Sequence, residues 1–346
     1  MSSRNAVSAG RRLSPMSPAS RIGFLFFLLI AAAAAGCSRA PEQAAAGPLA
    51  VSAGQGSPER SSRGVVRAPA ERKPEIPRFE YAYQPPESAD LQPIYERVVE
   101  VDLWRQLPEV QAIDGMFVLP RRLRFVTAQC DGPGALYRPD EAEVVLCYET
   151  LRILYERGQE HQQALGLGDD HPLRYLSANV RFMVLHEVGH ALVDLLDLPV
   201  TGSQEDAVDQ LAAILMLRFA GLDETPAQVI ENLGMAANWM LSRSTGAYNL
   251  DAFASTHSLG EQRYFSLQCM IYGTDPAGFA DMTATGELTA ERAEGCEREM
   301  HLITRAWLRL LLPHLAPGYE LYDEAARQYL ERATDVAPGD VPGPGR

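Results

Sequence analysis

Two histidines and a glutamate stand close together in the apolar stretch 182–196, FMVLHEVGHALVDLL. Burying a polar group without a partner costs a few kcal/mol, and burying a charge costs more, so something must satisfy His186, Glu187 and His190. On an α-helix, residues four apart lie about 40° apart on one face and one turn apart in height. The two imidazoles can therefore point at one cation, with Glu187 beside them.

Nitrogen and oxygen ligands, with one coordination position left for water, are typical of catalytic zinc. Zinc lowers the pKa of a bound water toward about 7, and a glutamate that takes the proton lets the water attack a carbonyl. The pattern predicts a Zn2+ site with Glu187 as the general base. The alternative is a pair of core histidines satisfied by other protein groups.

The histidine pair needs a third ligand from elsewhere in the chain. Asp194 lies about 12 Å along the helix from the first histidine, too far to share the ion. The next predicted helix, in GSQEDAVDQLA, carries Glu205 and Asp209 four residues apart on one face. We expect Glu205 to ligate the metal and Asp209 to orient one of the histidines from behind. Two alternatives remain: Glu205 complements the helix dipole, or His257 is the third ligand.

Several segments resemble known metallopeptidases. HEVGH, followed after a short loop by an E-x-x-x-D helix, resembles the gluzincins. More narrowly, HEVGHALVD, EDAVDQLA and HSLGEQRYFSLQCMIYG are similar to a bacterial family of secreted metallopeptidases that is catalogued as a domain of unknown function. The likeness spans most of residues 90–310. It implies zinc with His186, His190 and Glu205 as ligands and Glu187 as the base, and it implies no particular substrate.

The gluzincin resemblance also implies where a substrate binds. In that group a strand before the zinc helix pairs with the extended substrate, which here would lie in the 134–148 hairpin. A group that polarises the oxyanion is expected as well, and the candidates are His257, Tyr264 and Tyr248. Each of these three also has a purely structural alternative.

The N-terminal region has the features of an export signal. Residues 1–21 contain four arginines and no acid, and the apolar run 22–36 is too short to span a bilayer as a helix. A transmembrane anchor left in place is the alternative. AAGC resembles the lipobox of bacterial lipoproteins, which implies removal of residues 1–36 and a lipid on Cys37. With Ser38 next, the resemblance implies the outer membrane, on its periplasmic or surface face.

An exported protein with four remaining cysteines favours disulfide bonds. Three pairings are possible, and proximity along the chain favours Cys130–Cys147 and Cys269–Cys296, although some could remain buried thiols. GALYRPDEAEVVLCYE resembles the paired-cysteine segment of the same family. The chain carries a net charge of −14 and lacks a basic cluster after residue 73 apart from PRRLR, so no nucleic-acid partner is expected.

The remaining patterns predict one α+β domain at 86–336, between a disordered tether at 37–85 and a disordered tail at 337–346. Alternation predicts a strand at 122–129 and a hairpin from 134–137 and 143–148, and therefore a small antiparallel sheet. Helical patterns with capping residues follow and predict a mostly helical, zincin-like body. The predicted helices are 91–106, 149–164, 173–197, one from Ser203 to Gly221, one from Thr225, one from Ser258 with Glu261 as a capping box, and 290–312.

These features predict a lipid-anchored zinc metallopeptidase of the bacterial cell envelope, acting on an unidentified peptide or protein. One alternative is a non-catalytic envelope lipoprotein in which the metal braces the fold of a binding module. Another is an amidase that acts on a cell-wall peptide, because both reactions attack a carbonyl carbon.

Overall fold

The computed structural model describes residues 78–244, 246, 250–319, 326–327 and 329–330. The predicted signal 1–36, Cys37, most of the predicted tether, Tyr248 and the predicted tail 337–346 lie outside the described residues. The described part is an α+β unit in which a small sheet precedes a helical body, as the sequence predicted. None of its helices has the length and apolarity that a bilayer crossing requires.

Four short strands form one sheet in the order β1-β2-β4-β3. They are β1 Glu80–Tyr83, β2 Arg124–Ala128, β3 Ala135–Arg138 and β4 Glu143–Cys147. The predicted hairpin is β3–β4, which pairs antiparallel. The other two pairings, β1 with β2 and β2 with β4, are parallel, so the predicted antiparallel arrangement holds only for the hairpin. Alternation along a strand shows which face is buried, and it does not distinguish a parallel neighbour from an antiparallel one.

Strand β1 falls inside the segment that the sequence assigned to the tether. Phe79, immediately before it, is buried with its ring centroid 5.1 Å from that of Phe125. The Tyr83 hydroxyl at its other end donates to Asp102 Oδ1 at 2.8 Å. The ordered unit therefore includes residues 78–85, and the predicted boundary at 86 was too late.

The helical body surrounds one long central helix. Within the described residues the helices are α1 Gln92–Glu100, α2 Pro108–Ile113, α3 Tyr148–Leu165, α4 His171–Leu195, α5 Gln204–Phe219, α6 Pro226–Ser242, α7 Leu250–Phe253, α8 Gly260–Thr274, α9 Asp281–Thr285, α10 Ala290–Ala293 and α11 Cys296–Leu311. Helix α4 is apolar around most of its circumference, which is typical of a helix buried on all sides. It packs against α3, α5 and α6, so its polar residues must find partners inside the protein.

Local capping signals account for most of the helix starts. Ser203 Oγ accepts from the Asp206 amide at 3.4 Å, and Thr225 forms a capping box with Gln228, so both predicted caps are confirmed. Ser258 does not cap α8 as predicted. Its hydroxyl donates to Asp206 Oδ2 at 3.0 Å instead, and α8 begins two residues later. Ser258 and Glu261 therefore both take tertiary partners, and at the observed start of α8 Gln262 Oε1 accepts from the Leu259 amide at 3.1 Å.

Two disulfide bonds join distant parts of the unit, and both match the predicted pairing. Cys130–Cys147 connects the segment after β2 to the end of β4, and Cys269–Cys296 connects α8 to the first residue of α11. The predicted helix 290–312 is divided into α10 and α11 by a break at Gly295.

Candidate metal centre

Helix α4 carries the histidine pair, and α5 approaches it closely. The ring centroids of His186 and His190 are 4.9 Å apart, as expected for side chains one turn apart. A Cβ on Gly189 would lie 2.7 Å from Val208 Cβ on α5, which is closer than carbon atoms ordinarily approach. The glycine of the motif is therefore where these two helices touch, and it lets the start of α5 reach the imidazoles.

The first turn of α5 brings a carboxylate between the imidazoles. Glu205 Oε2 lies 3.1 Å from His186 Nε2 and 3.4 Å from His190 Nε2. The same oxygen lies 2.9 Å from Nε2 of His257, in the segment before α8. Ligand atoms of His186, Glu205 and His257 all lie within 4.8 Å of one another. Three imidazole nitrogens thus surround one carboxylate oxygen.

The opposite ring nitrogens of the α4 histidines face oxygen acceptors. His186 Nδ1 is 2.7 Å from Asp209 Oδ1, and His190 Nδ1 is 2.8 Å from Gln204 Oε1. When each Nδ1 donates its proton to that oxygen, the neutral ring presents an Nε2 lone pair toward Glu205. Lone pairs from several atoms then converge on one region, an arrangement that a cation stabilises. The donor set, imidazole nitrogens and a carboxylate, is one that divalent transition metals favour.

The charge balance of the cluster also favours a positive charge at this point. Burial lowers the pKa of His186, but hydrogen bonds to Asp209 and Glu205 outweigh it and raise that pKa to about 9. The hydrogen bond with His186 is the largest cause that lowers the pKa of Glu205 to about 2, against partial burial. The Glu205 carboxylate is therefore ionised at neutral pH, and its negative charge is balanced by a proton on an imidazole or by a metal ion.

Neither Glu187 nor His190 belongs to the group of three ligand atoms, and Glu187 lies beside it. Burial raises its pKa, and the charges of His186 and His190 lower it only in part. Its carboxylate accepts a hydrogen bond from the main-chain N–H of Tyr137 on β3. The Tyr137 hydroxyl donates to Asp194 Oδ2 at 2.7 Å, which fastens the edge strand to α4. The predicted base therefore sits between the imidazoles and the free edge of the sheet.

The three residues predicted as candidates for polarising the oxyanion have different positions. His257 joins the cluster, whereas Tyr264 does not: its hydroxyl accepts from Gln268 Nε2 at 3.1 Å. Tyr264 lines a different cavity of about 270 Å³, together with Phe279 and Glu287 among others. The structure therefore places the predicted catalytic residue Tyr264 away from the cluster, because its side of α8 faces α6 and α9. Tyr248 lies outside the described residues.

Three contacts at the centre were not predicted from the sequence. Gln204 partners His190, Arg263 on α8 binds Asp209, and the Tyr137 amide meets Glu187. Gln204 directly precedes the predicted ligand Glu205, and this adjacency was the one local indication in the sequence that Gln204 lies at the centre. The other two depend on how α8 and β3 dock against α4 and α5.

Two imidazoles and a glutamate on one helix, faced by a carboxylate from the next, form the side-chain set of a metal-dependent hydrolase. A family model described as "putative metallopeptidase" matches residues 83–311, more than half of the chain, and the chain belongs to this family. The family implies a metal ion. Searches of curated proteins and of solved structures found no match.

Proposed function

We propose that this protein is a zinc-dependent peptidase of the gluzincin type. The observation that carries the proposal is that Glu205 Oε2 lies 3.1 Å from His186 Nε2 and 3.4 Å from His190 Nε2, with Glu187 beside the two histidines. Nitrogen and oxygen donors in this combination suit zinc. When bound, zinc supplies a Lewis acid that makes water more acidic and polarises a carbonyl.

Glu187 is the proposed general base. Its raised pKa brings it closer to neutrality, where a base both stays ionised and holds a proton well. The main-chain N–H of Tyr137 favours the ionised form of this carboxylate, which is the form that can take a proton from water. A site that only braced the fold would have no use for this carboxylate beside the ligand cluster.

The substrate is proposed to extend the sheet along β3. This strand is at the edge of the sheet, and its inner side is occupied by β4. Gly134 O accepts from the Cys147 amide, so by alternation the main-chain groups of Ala135 and the carbonyl of Tyr137 point to the free edge, while the Tyr137 N–H faces Glu187. An extended peptide can pair there next to Glu187, with main-chain hydrogen bonds that do not depend on its sequence.

His257 is proposed to donate a hydrogen bond to the oxyanion rather than to ligate the metal. Its side chain is 47% exposed, against 7% for His186 and 15% for His190, and it comes from an irregular segment. Ligation by His186, His190 and Glu205 leaves a position open for water, which a fourth protein ligand would fill.

The proposed compartment is the cell envelope, with the protein exported and anchored through a lipid on Cys37. Two disulfide bonds in a chain of this size support an oxidising environment. A lipid-anchored peptidase would meet peptide or protein substrates at the membrane surface.

The test compares the zinc-loaded full chain with Glu187→Gln, using labelled casein and a degenerate peptide library as probes. Gln keeps an acceptor for the Tyr137 amide but cannot take a proton, so we expect hydrolysis to fall about 10²- to 10⁴-fold with zinc retained. Glu156→Gln, an exposed glutamate on α3, is the matched control and should leave hydrolysis unchanged. Equal hydrolysis in Glu187→Gln and the unaltered chain contradicts the proposed base. Zinc binding without cleavage of either probe favours the non-catalytic alternative.

A further inference from the structure

A guanidinium group lies directly behind the metal centre. Arg263 on α8 contacts Asp209 through two parallel hydrogen bonds, from Nε to Oδ2 at 2.6 Å and from Nη2 to Oδ1 at 2.7 Å. Both side chains are largely buried, at 20% and 9% exposure. Such bidentate pairs are stronger and more directional than a single charged contact.

Asp209 in turn orients His186, a proposed metal ligand. Its Oδ1 is shared between Arg263 and His186 Nδ1, and the second distance is 2.7 Å. Burial raises the pKa of Asp209, but the hydrogen bonds with His186 and Arg263 outweigh it and keep the carboxyl ionised. The carboxylate plane is therefore held on one side by a rigid fork and on the other by the imidazole.

We propose that Arg263 is a positioning residue of the metal centre: it fixes the Asp209 carboxylate so that His186 presents its Nε2 lone pair toward Glu205. The proposal rests on the proposed function, because it takes His186 to be a metal ligand. Arginine suits this role better than lysine, since its planar fork engages both carboxylate oxygens at once.

The Arg263–Asp209 contact also joins α8 to α5. The alternative to positioning is therefore a purely structural role, in which the contact only stabilises the packing of these two helices. The two roles differ in what they change. Loss of a structural tie lowers the stability of the folded chain, whereas loss of positioning weakens metal binding even in chains that are fully folded. Partners behind metal-ligating histidines affect metal affinity by about 10- to 100-fold.

The experiment measures the zinc dissociation constant of the full chain by competition with a chromophoric chelator. The variants are Arg263→Met, which removes both hydrogen bonds, and Arg263→Lys, which keeps the charge and loses the fork. Arg174→Met is the matched control, because Arg174 ties α4 to α6 through Glu231 at 2.5 Å, an interhelix contact in which no proposed ligand takes part. Circular dichroism identifies the temperature range in which each chain is folded.

We expect zinc affinity to fall about 10- to 100-fold in Arg263→Met, by an intermediate factor in Arg263→Lys, and by less than about twofold in Arg174→Met. The visible spectrum of the cobalt-loaded chain should shift in the Arg263 variants alone, because the spectrum reports the ligand geometry. Zinc affinity in folded Arg263→Lys and Arg263→Met within about twofold of the unaltered chain overturns the proposal. If Arg263→Met does not fold, Arg263→Lys alone decides it. An unaltered chain that binds no zinc overturns the proposed function itself.

Discussion

Gly189 sets the distance between the two helices that carry the proposed ligands. In Gly189→Ala the new Cβ would lie 2.7 Å from Val208 Cβ, 2.9 Å from its Cγ1 and 3.3 Å from its Cα. Carbon atoms ordinarily pack about 3.5–4.0 Å apart, so α5 must move away from α4 by about 1 Å. Glu205 and Asp209 lie on the same helix, within one turn of Val208, and they would move with it.

The displacement should affect metal binding more than folding. Alanine favours the helix by about 1 kcal/mol relative to glycine, whereas overpacking costs about 1–3 kcal/mol, so the metal-free chain should lose at most about 2 kcal/mol. Metal sites tolerate distance changes of only about 0.2 Å. We therefore expect the zinc dissociation constant to rise by on the order of 10- to 100-fold, or about 1.4–2.8 kcal/mol.

Chelator competition for zinc and urea unfolding of the metal-free chain measure the two effects separately. Gly234→Ala on α6 is the matched control, because no atom lies within 4 Å of its added Cβ, and zinc affinity should not change. Combining Gly189→Ala with Val208→Gly transfers the glycine to the other helix and should recover most of the zinc affinity. A dissociation constant for Gly189→Ala within about twofold of the unaltered value would refute the packing argument.

Three further predictions concern the oxyanion donor, a helix cap and a disulfide. His257→Ala should retain zinc while hydrolysis falls by about 10²- to 10³-fold, and metal analysis showing lost zinc would instead make His257 a ligand. Thr225→Ala removes the capping box of α6 and should lower the free energy of unfolding by about 1 kcal/mol in urea titration, whereas an unchanged midpoint would contradict the cap. Replacing Cys269 and Cys296 together by serine should lower that free energy by about 2–4 kcal/mol, and equal unfolding midpoints would argue against a stabilising crosslink.

Much of the candidate site could be predicted from local spacing. Two histidines four residues apart share a face on any α-helix, and Glu205 and Asp209 share a face by the same rule. The cap at Ser203 fixed where α5 begins, and therefore which residues stand in its first turn. These inferences needed only the helical repeat and capping chemistry, which depend on residues close together in the chain.

Residue types and their local spacing specify which polar groups must be satisfied inside apolar helices and which helices present those groups. Which of these groups contact one another depends on how the helices and strands pack. The packing of α8 places Arg263 against Asp209 and Tyr264 in a separate cavity. Pairing with β2 makes β1 a strand, although the sequence assigned its residues to a disordered tether. Such contacts join residues that are far apart in the chain, so they depend on how helix faces and strand edges pack, and no local repeat encodes that packing.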